Sequence, residues 1–185
     1  MNETLKTIKS RFSCRGYDGQ PIEKEKLEAL ANAALQAPSA MNLQPWEIIV
    51  VTDKGLIDEM DAAAMDVLAA NSDKSMYNRI MERGGKIFYN APCMFLVLKK
   101  TDSKWADLDC GIVTQNIALA AESLGLGNVI VGMAAIPLNS PKGEYLKERL
   151  GGFAPDYEFG MGICVGYGNV TKEPHEINPD KVRYV

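Results

Sequence analysis

The chain has 185 residues, 46% hydrophobic and 24% charged, the composition of one ordinary globular domain, which excludes a disordered, collagen-like or coiled-coil protein. At that length roughly 70% of the unfolded surface can be buried, so no disulfide or structural metal is needed to hold a fold together. The formal charge of −4 is uneven, with +3 on residues 1–17 and −7 on the rest, and an acidic body excludes a general nucleic-acid binder, whose phosphate contacts demand a basic face.

The basic stretch ends in Arg11-Phe12-Ser13-Cys14-Arg15, two guanidinium groups four residues apart with a hydroxyl between them. Forked donors plus a hydroxyl suit the acceptor oxygens of a phosphate monoester; two solvated arginines at a helix end are the plainer alternative. Residues 23–36 place Leu27, Leu30, Ala34 and Leu35 at helical spacing. Pro38 ends that helix, because the residue before a proline is pushed out of the α region. The loop Pro38-Ser39-Ala40-Met41-Asn42-Leu43-Gln44-Pro45 is dense in small residues and carboxamides. It suits either local turn work or the close approach of a flat heterocycle with mixed donor and acceptor edges.

Trp46 to Thr52 is rich in β-branched residues and predicts a strand, followed by helices over 55–70 and about 74–85 and a second strand over Cys93 to Lys99. Between Asp107 and Leu124 the middle of the helical pattern is apolar on several sides, so that helix belongs in a core or a subunit interface. Gly125 stops it. A third strand over Asn128 to Met133, a short helix over 142–150 and a fourth strand over Gly160 to Tyr167 follow. The tail from Gly168 ends in Val182-Arg183-Tyr184-Val185, has strand character at its end, and needs another surface to lie on.

Rare residues narrow the chemistry. His175 is the only histidine, which excludes Ser-His-Asp and Cys-His catalysis unless His175 itself is the base, and excludes multi-histidine metal sites. Cys14, Cys93, Cys110 and Cys164 form no Cys-x-x-Cys pair, so no metal site is expected. Cys93 and Cys164 lie in apolar runs and read as core thiols of a reducing compartment. Cys14, between Ser13 and Arg15, is either a packing residue or a thiol activated by two cations. Gly160-Met161-Gly162-Ile163-Cys164-Val165-Gly166 has the look of a dinucleotide fingerprint, but its third glycine is misplaced and no helix follows. No apolar run approaches the ~20 residues of a membrane span, and the first residues lack the apolar core of a secretion signal. The expectation is a soluble, cytoplasmic protein with no nucleic-acid or membrane partner.

Taken in order, Arg11-x-Ser13-x-Arg15, a helix, Ala37-Pro38-Ser39-Ala40-Met41-Asn42-Leu43-Gln44-Pro45-Trp46 before a strand, the buried helix ending at Gly125-Leu126-Gly127, the strand Asn128 to Met133 and the late strand ending Val165-Gly166-Tyr167 resemble the nitroreductase family of FMN-dependent oxidoreductases. The resemblance implies an α+β, three-layer fold with a mixed, mainly antiparallel sheet flanked by helices. It implies an FMN-binding domain over 1–168 and a C-terminal arm over 169–185 that packs on the partner in a homodimer. FMN would be the cofactor and NAD(P)H the donor, with a nitroaromatic, quinone or similar electron-poor small molecule as acceptor. A non-catalytic FMN store and a reductive dehalogenase-type relative are the alternatives on the same fold.

The resemblance also assigns residues. Arg11, Phe12, Ser13 and Arg15 match positions at the FMN phosphate and pyrimidine, with Arg15 near the N1/C2 edge, where a cation stabilises the charge acquired on reduction. Pro38, Ser39, Ala40 and Asn42 match a loop that reaches the partner's flavin. Val131, Gly132 and Met133 match a strand end whose backbone approaches N5, and no catalytic side chain is implied because the flavin carries the chemistry. The C-terminus departs from the family pattern. Lys172, His175, Lys181 and Arg183 all compete for a further phosphate contact, with Lys181 and Arg183 preferred and His175 read as a surface residue.

Overall fold

The run from Cys93 to Leu98 is apolar and buried at every position, so a strand built from it needs a layer on each face. The computed structural model describes residues 1–173 and 176–185 and supplies both layers. In chain order the elements are α1 (Glu3–Ser10), α2 (Lys24–Leu35), β1 (Trp46–Val51), α3 (Lys54–Ala70), α4 (Ser75–Met81), β2 (Cys93–Lys100), α5 (Ala106–Ser123), β3 (Gly127–Ile130), α6 (Ala135–Leu138), α7 (Gly143–Arg149) and β4 (Tyr157–Gly166). The strands form one sheet in the order β1-β2-β4-β3. Every ladder in it is antiparallel, and parallel pairing among the described residues is confined to a bridge between Ser13 and Asn128.

Alternate residues of β2 enter two separate cores. Cys93, Phe95 and Val97 join Ile163 and Val165 of β4 beneath α5 and α2, where Val113, Ile117, Ala118 and Ala121 meet Leu30 and Ala34. Met94 and Leu96 join Cys164 on the other face, under Ile57, Met60 and Ala64 of α3, Ile80 of α4, Leu138 and Leu146. The α+β, three-layer architecture follows from this period-two split of a doubly buried strand. Two glycines let the layers close. In β4 a Cβ on Gly160 would stand 3.0 Å from the Val97 carbonyl oxygen, and one on Gly162 would stand 3.0 Å from the Val131 oxygen. That close packing accounts for the glycine pattern of β4, which binds no helix start and is no nucleotide fingerprint.

Several boundaries differ from the sequence expectation, each for a local reason. The helix placed over 74–85 stops at Met81, because Gly84 and Gly85 take φ of +96° and +72° and reverse the chain. The third strand ends at Ile130; Val131 still donates to the Gly162 oxygen at 2.8 Å, but Gly132–Ala134 then wind into a 3-10 turn that opens α6. The fourth strand starts earlier, at Tyr157. Residues 182–185 pair with no strand, and Val182, Tyr184 and Val185 are exposed. Helix α1 buries no residue, so no apolar stripe announces it.

Phe95 is fully buried at the centre of the α5-facing core. Phe95→Ala is expected to lower unfolding stability by about 3–5 kcal/mol, read as a fall in the urea midpoint at constant m-value. A change below 1 kcal/mol would mean that the packing around β2 is not as described.

Candidate functional site

Residues 11–17 have no regular secondary structure and are held by neighbours. The Cys14 amide donates to the Asn128 carbonyl at 2.9 Å, the Asn169 amide donates to the Gly16 carbonyl at 3.1 Å, and Tyr17 bridges to Gly168. The buried Tyr17 hydroxyl lies 3.1 Å from the Cys14 oxygen and 3.3 Å from the Cys164 oxygen, tying the segment to β4. Cys14 is fully buried, and a Cβ on Gly127 or Gly168 would come within 2.7 or 2.9 Å of its sulfur. Burial pushes the Cys14 thiol pKa up, although a hydrogen bond to Gly16 opposes this. The thiol is a packing group, and the activated-thiol alternative is discarded.

This anchoring delivers Arg15 to a cleft of about 200 Å³ that it lines with Met133, Tyr89 and three further cations, Arg79, Arg83 and Lys86. The Arg15 guanidinium stands 5.8 Å from the centre of the Tyr89 ring. Lys86 is bound to Asp58, which also takes Lys54 at 2.5 Å. Burial opposes ionisation of Asp58, but the two lysine hydrogen bonds outweigh it and hold the carboxyl below its ordinary value. The bond to Asp58 raises the Lys86 pKa, so Lys86 stays charged.

Behind the cleft, Asp61 of α3 is buried and its Oδ1 accepts from the amides of Ile87 and Phe88 at 2.7 and 3.1 Å. These bonds fix the two residues that precede Tyr89 and Asn90, which hold left-handed φ angles of 54° and 60°. Two adjacent non-glycine residues in that region are strained, and they stay there because the flanking backbone is pinned. Gly132, which precedes the cleft residue Met133, is exposed, and its amide makes no hydrogen bond among the described residues.

Not all of the residues anticipated from sequence meet in one place. Arg15 and Met133 share the cleft, Gly132 adjoins it, and Ser13 lies beside Asn128 at the start of β3. Arg11 caps the C-terminus of α1, Phe12 packs on the α3-side core, and Val131 is buried. Pro38, Ser39 and Ala40 instead line a separate depression of about 260 Å³ with Trp105, Leu108, Asp109 and Ile112. Asn42 is exposed in the same loop, where Met41, Asn42 and Gln44 take φ of 51°, 56° and 47°. Lys172, Lys181 and Arg183 are exposed and make no side-chain hydrogen bond or ion pair among the described residues; His175 lies outside them. Sequence reasoning missed Lys86, Tyr89, Arg79 and Arg83. The Gly84-Gly85-Lys86 turn and the second pair of arginines at a spacing of four were their only signals.

The nitroreductase family model matches residues 8–167. A nitroreductase with bound FMN from Desulfitobacterium hafniense is similar over 100% of this chain and 99% of its own, with 48% identity and a TM-score of 0.95. A nitroreductase with bound FMN from Bacteroides fragilis covers 100% of both chains at 26% identity and a TM-score of 0.88. The NADPH-flavin oxidoreductase of Vibrio harveyi is 31% identical over 175 residues, spanning 94% of this chain and 69% of that protein. No helix among the described residues is long and apolar enough to cross a membrane.

Desolvation dominates Asp61 and, against the two amide bonds that favour its charge, raises its pKa from 3.8 to about 6. A carboxyl raised in the folded state binds more protons folded than unfolded between those values, so its contribution is most favourable below pH 4 and is lost as pH rises towards 6. Asp61→Asn keeps the acceptor for the Ile87 and Phe88 amides and cannot ionise. Relative to the parent it is expected to gain up to about 3 kcal/mol between pH 4 and pH 7. Thermal or urea unfolding across that range measures the gain; a difference independent of pH would sink the assignment.

Proposed function

The chain belongs to the nitroreductase family, and we propose that it binds FMN and passes hydride from NAD(P)H to an electron-poor small molecule, such as a nitroaromatic or a quinone, in a two-step exchange at one face of the cofactor. The observation that carries this reading is the meeting of the Arg15 and Lys86 cations with Met133 around one cleft, next in the chain to the exposed Gly132, whose amide has no partner among the described residues. Fixed cations suit a carbonyl edge that becomes negative on reduction, and a free amide on an open glycine suits a ring nitrogen that must be approached by backbone. When bound, FMN supplies hydride acceptance and delivery at N5, which no side chain of this protein can do.

The roles proposed for the residues follow from their positions. Arg11 and Ser13 hold the FMN phosphate and its ribityl side. Arg15 and Lys86 face the pyrimidine edge, and Lys86 keeps its charge through Asp58. Gly132 and Met133, with Val131 behind them, face N5. Lys181 and Arg183 are proposed to complete the phosphate site, which requires the arm over 169–185 to lie on a surface other than the one it is exposed from here.

A homodimer supplies that surface and explains two further features. Trp105, Leu108 and Ile112 leave the outer side of α5 apolar and open, with Leu108 60% exposed, beside the strained loop over 38–44. Asp109 is buried there with one carboxylate oxygen unpartnered. Pairing two copies across this face would bring Pro38, Ser39, Ala40 and Asn42 to the partner's cofactor, and the arm could add to the free edge of β1. The four free, buried cysteines fit a cytoplasmic location.

Anaerobic addition of NADH or NADPH to the yellow, FMN-loaded protein is expected to bleach the visible flavin band rapidly, and an acceptor should restore it. Absence of bleaching with both donors would leave an FMN store and reject the enzyme. Arg11→Ala removes a charge-assisted contact worth about 1.5–3 kcal/mol, so it should lose FMN on gel filtration while light scattering still reports a folded dimer. Stoichiometric FMN in that variant refutes the phosphate assignment, and a monomeric mass for the parent at micromolar concentration refutes the dimer.

A further inference from the structure

Helix α3 grips the turn over 86–90 twice. Asp58 and Asp61 are three residues apart and so face the same side of the helix. Asp58 holds the Lys86 side chain, and Asp61 holds the backbone just beyond it through the Ile87 and Phe88 amides. The residue before that backbone grip, Lys86, and the residue after it, Tyr89, both line the cleft. Holding the two amides occupies only Oδ1 of Asp61. Its Oδ2 is buried without a partner among the described residues, in a residue 3% exposed. A buried carboxylate with one oxygen unsatisfied costs stability, and a cost of that kind marks a group kept for more than packing. The charges and titratable groups around Asp61 come from three sides. Asp58 lies on its own helix, bound to Lys54 and Lys86, and Lys86 itself comes from the turn. From β4 comes the Cys164 thiol, which burial keeps neutral. Arg79 and Arg83, at the end of α4, line the cleft in front.

Building on the flavoenzyme reading above, we propose that Asp61 is a positioning residue for the cofactor: its grip on the Ile87 and Phe88 amides sets how Lys86 and Tyr89 stand against the flavin, and its charge sets how readily the bound flavin accepts electrons. Reduction adds negative charge at the edge that Arg15 and Lys86 face. A carboxylate behind Lys86 opposes that charge in surroundings that screen poorly. A proton on Asp61 removes the opposition, so reduction of the cofactor and protonation of Asp61 favour each other by the same factor. The electrons come from the nicotinamide donor and the proton from solvent; one O–H bond forms on Asp61, and the hydride transfer itself is unaltered. Desolvation holds the Asp61 pKa at about 6, against the two amide bonds and the Lys86 charge. The carboxyl is therefore neutral below that value and ionised above it, so the opposition to reduction sets in as pH rises through about 6 and vanishes as pH falls.

The test measures the midpoint potential of bound FMN against pH, by dithionite titration with a reference dye, in the parent, Asp61→Asn and Asp66→Asn. Asp61→Asn keeps the acceptor for both amides and cannot ionise. Asp66, exposed on the same helix, controls for loss of a charge from α3. At the acid end of the range, around pH 5, the three potentials should agree. Above about pH 7 the Asp61→Asn potential should exceed that of the parent, equivalent to about a five-fold change in the ratio of FMN affinities between the oxidised and reduced states. Asp66→Asn should follow the parent. Profiles of the parent and Asp61→Asn that coincide overturn the proposal, as does a constant offset, because a shift without pH dependence reports a structural change alone. Asp61→Leu removes the acceptor at similar volume and should weaken FMN about ten-fold in a fluorescence titration while circular dichroism stays native. Unchanged FMN affinity there overturns the positioning role; if the leucine variant does not fold, the asparagine profile decides alone. Dithionite reduction needs no nicotinamide donor. An Asp61-dependent potential in a protein that neither NADH nor NADPH bleaches would uphold the inference and reject the enzyme, and coincident profiles in a protein that a donor bleaches would do the reverse.

Discussion

The backbone hydrogen bonds that tie Cys14 to Asn128 and Gly16 to Asn169 set where the arginine-bearing segment runs against the sheet, and the geometry of the cleft depends on them. The segment has no ladder of its own. It lies in a trough made by Gly127 and Gly168, whose missing Cβ atoms leave room for the Cys14 sulfur, while Gly166 leaves room for the Tyr17 ring. That trough exists because β4 lies beside β2, and β2 is buried on both faces. Position is thus inherited in steps, from a doubly covered strand to its neighbour, to the short β3, and finally to Arg15. A perturbation anywhere along this route reaches the cleft, because close-packed interiors transmit displacement.

Strain is distributed unevenly between the two halves of the candidate site. Among the described residues, the non-glycine positions with positive φ fall in two loops, Met41, Asn42 and Gln44 in one and Tyr89 and Asn90 in the other. The second loop is braced from within the chain by Asp61. The first is braced mainly by itself: the Asn42 and Leu43 amides donate to the Ser39 and Ala40 carbonyls at 3.0 and 3.1 Å, Ser39 Oγ accepts from the Gln44 amide at 2.9 Å, and from outside Asp109 takes the Ala40 amide at a long 3.4 Å. Met41 is 85% exposed at its tip. Strained backbone persists where surroundings over-determine it. A loop braced mainly by its own turn, with an exposed tip beside an open apolar helix face, is therefore the half that calls for a second surface, as the proposed dimer provides.

The parts of this fold that are legible in the amino-acid pattern are those whose burial is one-dimensional. β2 and α5 are recognisable because apolar residues fill them on more than one side, and α2 because Leu30 and Ala34 recur at helical spacing against α5. β3 reads too long because Val131-Gly132-Met133 is as apolar as a strand, and only the loss of a β4 partner beyond Gly162 turns it into a 3-10 turn. α1 is invisible because it buries nothing. At the site, Arg15 and Met133 are brought together as their motif implies. Lys86 and Tyr89 come from a distant turn, and their place depends on a carboxylate of α3 that no local pattern connects to them. Lys181 and Arg183 sit in a tail without a burial pattern, so neither sequence nor a single chain locates their contact.

The electrostatics of the cleft match a protein almost without acid–base catalysts. Guanidinium groups do not titrate in the biological range, and Asp58 holds Lys86 in its charged form. Cations held in their charged form serve a reaction that needs charge stabilised more than protons moved. Asp61, raised to about 6, stands behind the wall, bonded to the Ile87 and Phe88 amides and near enough to Lys86 for each charge to favour the other. Its ionisation places a negative charge behind Lys86 as pH rises through about 6, which offsets part of the positive field in front. The +3 N-terminal stretch thus contributes one member, Arg15, of a larger permanent positive site, whose other members come from the turn after α4 and owe their position to α3.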